Sequence, residues 1–211
     1  DLNFAQFGDT VIVCHRDNPI RKIIRASASS FSVSALSFST HSSGYPRYQP
    51  YYKYEDDSVT LTPAATTGSG VNVTASSAIF DSDANWVGKT LRIGGKEIDI
   101  TGRTNTTVVV VTVRETLAST SANADWDETL YSSHRGFPQA VSFHDNRLWF
   151  GGNPSKPSSV IASQIGEYFN FNIGTGLASE AIDVAIAGDR VNEVRHFVSS
   201  RNLQIFTDGG E

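Results

Sequence analysis

Asp125, Asp127 and Glu128 flank Trp126 in a short run whose carboxylates could serve as the paired acid and base of glycoside hydrolysis. That chemistry needs two carboxyl groups held roughly 5 to 9 Å apart across a cleft. Nothing in the run itself enforces such a separation, so an acidic loop anchored by a buried tryptophan is the expected role. Asp81-Ser82-Asp83-Ala84-Asn85 sets side-chain oxygens at alternate positions, as a calcium loop does. The pattern then breaks: Trp86 stands where glycine is needed and Arg92 where a bidentate glutamate is needed, which leaves a solvated turn. His15, His41, His134, His144 and His196 show no HxH or HExxH spacing, so no zinc site is assigned. Cys14 is the only cysteine, which rules out an internal disulfide and a thiolate cluster within this chain and suggests a small core residue. There is no GxSxG elbow, and Gly94-Gly95 and Gly151-Gly152 lack the strand-to-helix context of a phosphate loop. Tyr45, Tyr48, Tyr51, Tyr52 and Tyr54 could stack on sugars or bases, but with no basic groove around them a protein contact or simple packing is expected. No catalytic, cofactor-binding or metal-ligating residue is therefore assigned, and a non-enzyme is expected.

The elements around these residues read as hairpins. In SHRGFPQAVSFHDNRLWFGG, Val141 and Phe143 alternate on one arm and Leu148 and Phe150 on the other, joined by Asp145-Asn146, two residues that tolerate positive φ. Phe143 and Trp149 are expected to be core rings whose removal costs about 3 to 5 kcal/mol. VIVCHRDNPIRKII and EVRHFVSSRNLQIF repeat the order of apolar strand, polar turn, apolar strand. LRIGGKEIDI sets Leu91 and Ile93 against Ile98 and Ile100 across Gly94-Gly95. TTVVVVTV is continuously apolar and β-branched, which predicts a strand covered on both faces. Further strands are expected at Phe31–Phe38, Ser158–Ser163, Tyr168–Phe171 and Ile182–Ile186. The interval from Val141 to Val194 is close to the period of one four-stranded propeller blade, roughly 40 to 50 residues.

No segment sustains an apolar stripe at helical spacing, and Ser, Thr, Val and Gly are abundant, so the fold class is read as all-β. The organisation expected is a partial set of propeller-like antiparallel blades interrupted by a small inserted β-barrel or sandwich. Its segments are 1–58, the first propeller-like part; 59–130, the inserted module and linker; and 131–211, the second propeller-like part. His41 to Asp57, rich in tyrosine and proline, reads as an extended linker or contact surface. A chain of 211 residues without methionine, opening on Asp1 in a strand-like segment, is expected to be a piece of a longer protein. Seventeen basic and twenty-two acidic residues give a net charge of −5, with no basic block to neutralise phosphates, so tight DNA binding is not expected. No apolar run is long enough to cross a bilayer as a helix.

The combination RGFPQAVSFHDNRLWFGG, PSSVIASQIGEYFNF and AIDVAIAGDRVNEVRHFVSSRNLQIFTDGGE resembles the tail tubular, or nozzle, proteins of short-tailed bacteriophages and prophages, a family that also resembles tail stabilisation proteins. The stretch DANWVGKTLRIGGKEIDITGRTNTTVVVVTVRETLASTSANADWDE is similar to the small β insertion that the family carries before this segment. The likeness extends from near Gly70 onward and is looser over residues 1–58. It implies a structural, non-catalytic component of the virion tail, assembled in the bacterial cytoplasm as a ring, a hexamer by the family pattern. Its implied partners are other copies, adaptor or connector proteins and fibres, and DNA would pass through without specific binding. The alternative is a carbohydrate-binding or glycan-degrading propeller of a phage tail.

Overall fold

The computed structural model describes residues 2–82, 85–187 and 191–209. The chain is all-β, with seventeen strands and no helix among the described residues. Four strands open it: β1 (Asn3–Phe7), β2 (Thr10–His15), β3 (Asn18–Ser27) and β4 (Ser30–Ala35). Seven follow: β5 (Tyr51–Tyr52), β6 (Leu61–Pro63), β7 (Gly68–Ala75), β8 (Thr90–Ile93), β9 (Lys96–Arg103), β10 (Val108–Val113) and β11 (Trp126–Thr129). The last six are β12 (Ala140–His144), β13 (Arg147–Asn153), β14 (Lys156–Ala162), β15 (Ile182–Ala185), β16 (Val194–Ser199) and β17 (Leu203–Thr207). Two compact units emerge, one of residues Asp1–Ser39 with Tyr131–Glu211 and one of Thr40–Leu130. Residues 40–58, grouped by sequence with the first sheet region, lie in the second unit.

The first unit is built from antiparallel meanders. β1-β2-β3-β4 and β12-β13-β14-β15 are four-stranded sheets in strand order, and β16-β17 is a hairpin. The turns follow from local chemistry. Asp145 and Asn146 take φ of 46° and 55°, the left-handed pair that a two-residue hairpin needs, and His144 pairs with Arg147 across them. Alternation then gives β12–β15 two different apolar faces. On one, Leu148 and Phe150 are fully enclosed; Phe150 stacks on Phe171 at 5.5 Å and meets Tyr131 edge-on at 6.1 Å. On the same side Phe143 contacts Phe7 of β1 at 5.6 Å and Tyr168 at 5.2 Å. On the opposite face Ala140 and Val160 form a core with Val194, joined by Trp149, Phe197 and Ile205. The middle sheet is thus covered by β1–β2 on one side and by β16–β17 on the other.

Two expectations are corrected here. Tyr168–Phe171 is not a strand: it follows an isolated bridge, Gln164–Glu167, and its rings fill the aromatic cluster from a turn. Phe143 and Trp149 are half-buried, while the enclosed side chains are their neighbours Leu148 and Phe150. Phe150→Ala should therefore cost about 4 kcal/mol and Phe143→Ala about 2 kcal/mol in denaturant unfolding, because the cost of truncation follows the volume emptied. Equal losses at the two positions would show that both rings are enclosed to the same degree.

The second unit is one seven-stranded sheet in the order β5-β11-β8-β9-β10-β7-β6. Leu61 of its last strand bridges to Asn123, just ahead of β11, so the sheet curls back on itself. Inside the curl, Leu61, Val73, Ile98, Val109, Val111 and Trp86 are all buried to within 1 %. Gly94 and Gly95, at φ of 57° and 73°, form the predicted two-residue turn, with Leu91 opposite Ile98 and Ile93 opposite Lys96. TTVVVVTV does not form a strand covered on both faces: Val109 and Val111 are buried, whereas Val108 and Val110 point outward and are half-buried. There the β-branched side chains serve strand propensity more than enclosure.

Candidate functional site

The densest polar cluster lies on the outer face of the second unit's sheet. In β9 the alternation that sends Ile98 and Ile100 inward sends Glu97 and Asp99 outward, and the loop from Tyr45 to Tyr51 crosses over them. Glu97 is 0 % exposed. One carboxylate oxygen accepts the Tyr51 hydroxyl at 2.6 Å and the Arg47 backbone N–H at 2.6 Å; the other accepts Arg47 Nε at 2.9 Å. Arg47 also donates to Asp99, which accepts from Arg114 Nε at 2.7 Å and from Thr90 Oγ1 at 2.9 Å. One strand over, Arg92 makes a two-pronged bond to Asp127, with Nε at 2.8 Å from Oδ1. Burial alone would push the Asp99 carboxyl up, yet the hydrogen bonds from Arg47, Arg114 and Thr90 hold it below the ordinary aspartate range. Burial pushes the Tyr51 hydroxyl up, and its bond to Glu97 pushes it further.

These groups are matched to one another. The guanidinium of Arg92 lies 3.9 Å from the centre of the Tyr51 ring, and those of Arg47 and Arg114 lie 5.2 and 5.3 Å from that of Tyr45. Two of the five tyrosines considered as a stacking platform thus have ring faces taken by arginine. Tyr52 and Tyr54 meet edge-on at 4.9 Å, and the Tyr54 hydroxyl donates to the Leu130 carbonyl. The arrangement works as a clasp that fixes an otherwise irregular segment to the sheet.

The other candidates separate in space. Asp127 and Glu128 are consecutive in β11 and so point to opposite faces, Asp127 to Arg92 and Glu128 into the interior. Trp126 is buried beside them, its indole N–H donating to the Val59 carbonyl at 2.8 Å. In the run Asp81–Asn85, Asp83 and Ala84 lie outside the described residues, and Trp86 is buried against Phe80 at 5.1 Å. Among the described residues, no three His, Cys, Asp or Glu side chains converge on a point that could hold a metal ion. His15 and His144 end β2 and β12 at their turns, His15 Nδ1 accepting the Asp17 N–H and His144 Nδ1 lying 3.0 Å from Ser199 Oγ. Cys14 is fully buried, and burial pushes its thiol up.

In the first unit two surfaces stand out. The register of β1–β4 puts Phe4, Val11, Val13, Ile23, Phe31 and Val33 on one face, away from the buried Ile12 and Cys14. Phe4, Phe31 and Val33 are 71, 63 and 66 % exposed. A cleft of about 320 Å³ lies on this face between Gln6, Val11, Ile23 and Phe31, with the Asp9–Arg25 ion pair at one end. The loop after β14 presents Ile165, Ile173 and Leu177 to solvent. It is held from both ends. Arg147, 4 % exposed, donates to the carbonyls of Ser163, Ala178 and Glu180, while the Glu180 carboxylate accepts the N–H groups of Thr175 and Leu177 at 2.7 Å each. Those backbone bonds, that from Leu177 foremost, hold the Glu180 carboxyl below its ordinary range.

Compared with known families and with curated proteins, the sequence matches no family model and no curated protein.

Proposed function

We propose that this chain is a structural, non-enzymatic subunit of a short-tailed phage tail, one of a ring of copies around the conduit through which the genome leaves. The observation that carries the reading is the layering of the first unit. Two meander sheets in strand order and a hairpin follow one another as blades do, and the first sheet still presents an apolar outer face bearing Phe4, Phe31 and Val33. Sheets apolar on both faces require a neighbour on each, and a propeller-like ring supplies one. The arginine-clasped tyrosine segment adds an ordered, amphipathic surface of the kind enriched at protein interfaces. A net charge of −5 disfavours retention of passing DNA, since few counterions would be released on contact. Adaptor or connector proteins and fibres are the further partners of this reading, and the virion tail is its location. Electron microscopy of the purified chain tests it: rings of uniform diameter are expected, and particles no larger than a pair of chains overturn it.

A further inference from the structure

Among the described residues β4 ends its sheet as an open edge: its one strand partner there is β3, and all six of its residues, Ser30 to Ala35, are exposed. Edge strands are ordinarily blunted by charge, proline, shortness or cover, because their unpaired N–H and C=O groups recruit other strands. Three other edges carry such devices. β6 has Pro63, β5 has two residues, and β15 carries Asp183 in an ion pair with Lys156. β4, with the sequence SFSVSA, has neither charge nor proline. β1 and β17 lack charge and proline too, but neither is exposed at every residue as β4 is.

We propose that β4 is a pairing edge for a second copy of this chain, joined antiparallel about a two-fold axis as β4 to β4. The strand's own pattern suits that occupant, because an uncharged strand sets no like charges against its own copy. In an antiparallel pair about a two-fold axis the numbers of facing residues have a constant sum, and for every even sum serine faces serine while Phe31, Val33 and Ala35 face one another. Self-pairing therefore sets apolar beside apolar on one face and hydroxyl beside hydroxyl on the other. The apolar row formed continues on each side to Val11, Ile23, Phe31 and Val33, with Arg21 and Arg25 flanking Ile23 on the same face. No like charges oppose across the seam, because the strand has none. A two-fold contact closes after two copies, so in a ring built from identical head-to-tail contacts it links copies of two different rings. The pairing rests on the edge of β4 and not on the ring reading.

The sole cysteine, Cys14, is buried, so an introduced thiol reports without competition. Phe31→Cys, Ser32→Cys, Val33→Cys and Ser34→Cys are to be made singly in the full chain and exposed to a mild oxidant. A residue at the two-fold axis faces its own copy, so a covalent dimer is expected at one of these positions and not at those two residues away. Light scattering adds a second reading. Val33→Lys should weaken association at least about tenfold by setting like charges together, and Val33→Thr should leave it intact. Circular dichroism confirms that each variant is folded. Cross-linking without rings keeps this inference and removes the ring. Rings without cross-linking at any of the four positions, association unchanged in Val33→Lys, or a wild-type chain of single mass at about 100 µM each overturn the pairing.

Discussion

Gly152→Ala is expected to destabilise the first unit by about 3 kcal/mol or more and to separate the β16–β17 hairpin from the sheet beneath it. Gly152 sits at φ 72°, in the left-handed region, and a Cβ there would lie 2.1 Å from the backbone oxygen of Val194. That oxygen belongs to a strand and cannot turn aside as a flexible side chain would. The neighbouring Gly151 is also confined, though by side chains: a Cβ would meet the Phe197 ring at 2.7 Å and Val194 Cγ1 at 2.9 Å. The glycine pair is thus the seat on which β16 rests. Denaturant unfolding, followed by circular dichroism, measures the effect. A loss under about 1 kcal/mol would mean that β16 shifts freely and that its packing contributes little.

Arg47→Ala should destabilise the second unit by about 3 kcal/mol, because it leaves the enclosed Glu97 without the cation hydrogen-bonded to it. Glu97 would keep the Tyr51 hydroxyl and one backbone N–H, which offset part of the charge but do not neutralise it. Lysine is expected to restore little, since the guanidinium spans Glu97 and Asp99 at once and covers the Tyr45 ring. The same network sets an acid dependence. Asp99 is held below its unfolded value, so its contribution is present above about pH 4, the ordinary aspartate range, and fades as the pH falls through its lower folded value. Wild-type stability should therefore drop on acidification, and Asp99→Asn should flatten that drop. Identical acid profiles for the two proteins would show that other carboxylates govern it.

What the sequence reveals of this molecule depends on how far apart the cooperating residues lie. The turns at Asp145-Asn146 and Gly94-Gly95 are legible because positive φ is demanded of the residues that occupy them. The inward set Leu91, Ile98 and Ile100 is legible from alternation alone. The arginine–carboxylate clasp is not, since Arg47 and Glu97 are 50 positions apart and the alternation that exposes the inner face's opposite side says nothing of a loop crossing it. A signal was present in the two acids of KEIDI, both on the polar side of a strand with apolar partners. Tyr168–Phe171 resembles a strand in composition because aromatic clusters and half-buried strands draw on the same residues. Arg147 shows no local sign of its role, as its three acceptors are carbonyls of a loop whose path the sequence does not specify.

That loop also bears on how association at its tip would proceed. Arg147 below and the Glu180 carboxylate within hold the backbone around Leu177 in one shape while its side chain stays in water. The conformational freedom of those residues is surrendered during folding, so a protein meeting Ile173 and Leu177 finds a stiff ridge with little left to lose. Encounters there should be selective by shape and little slowed by rearrangement.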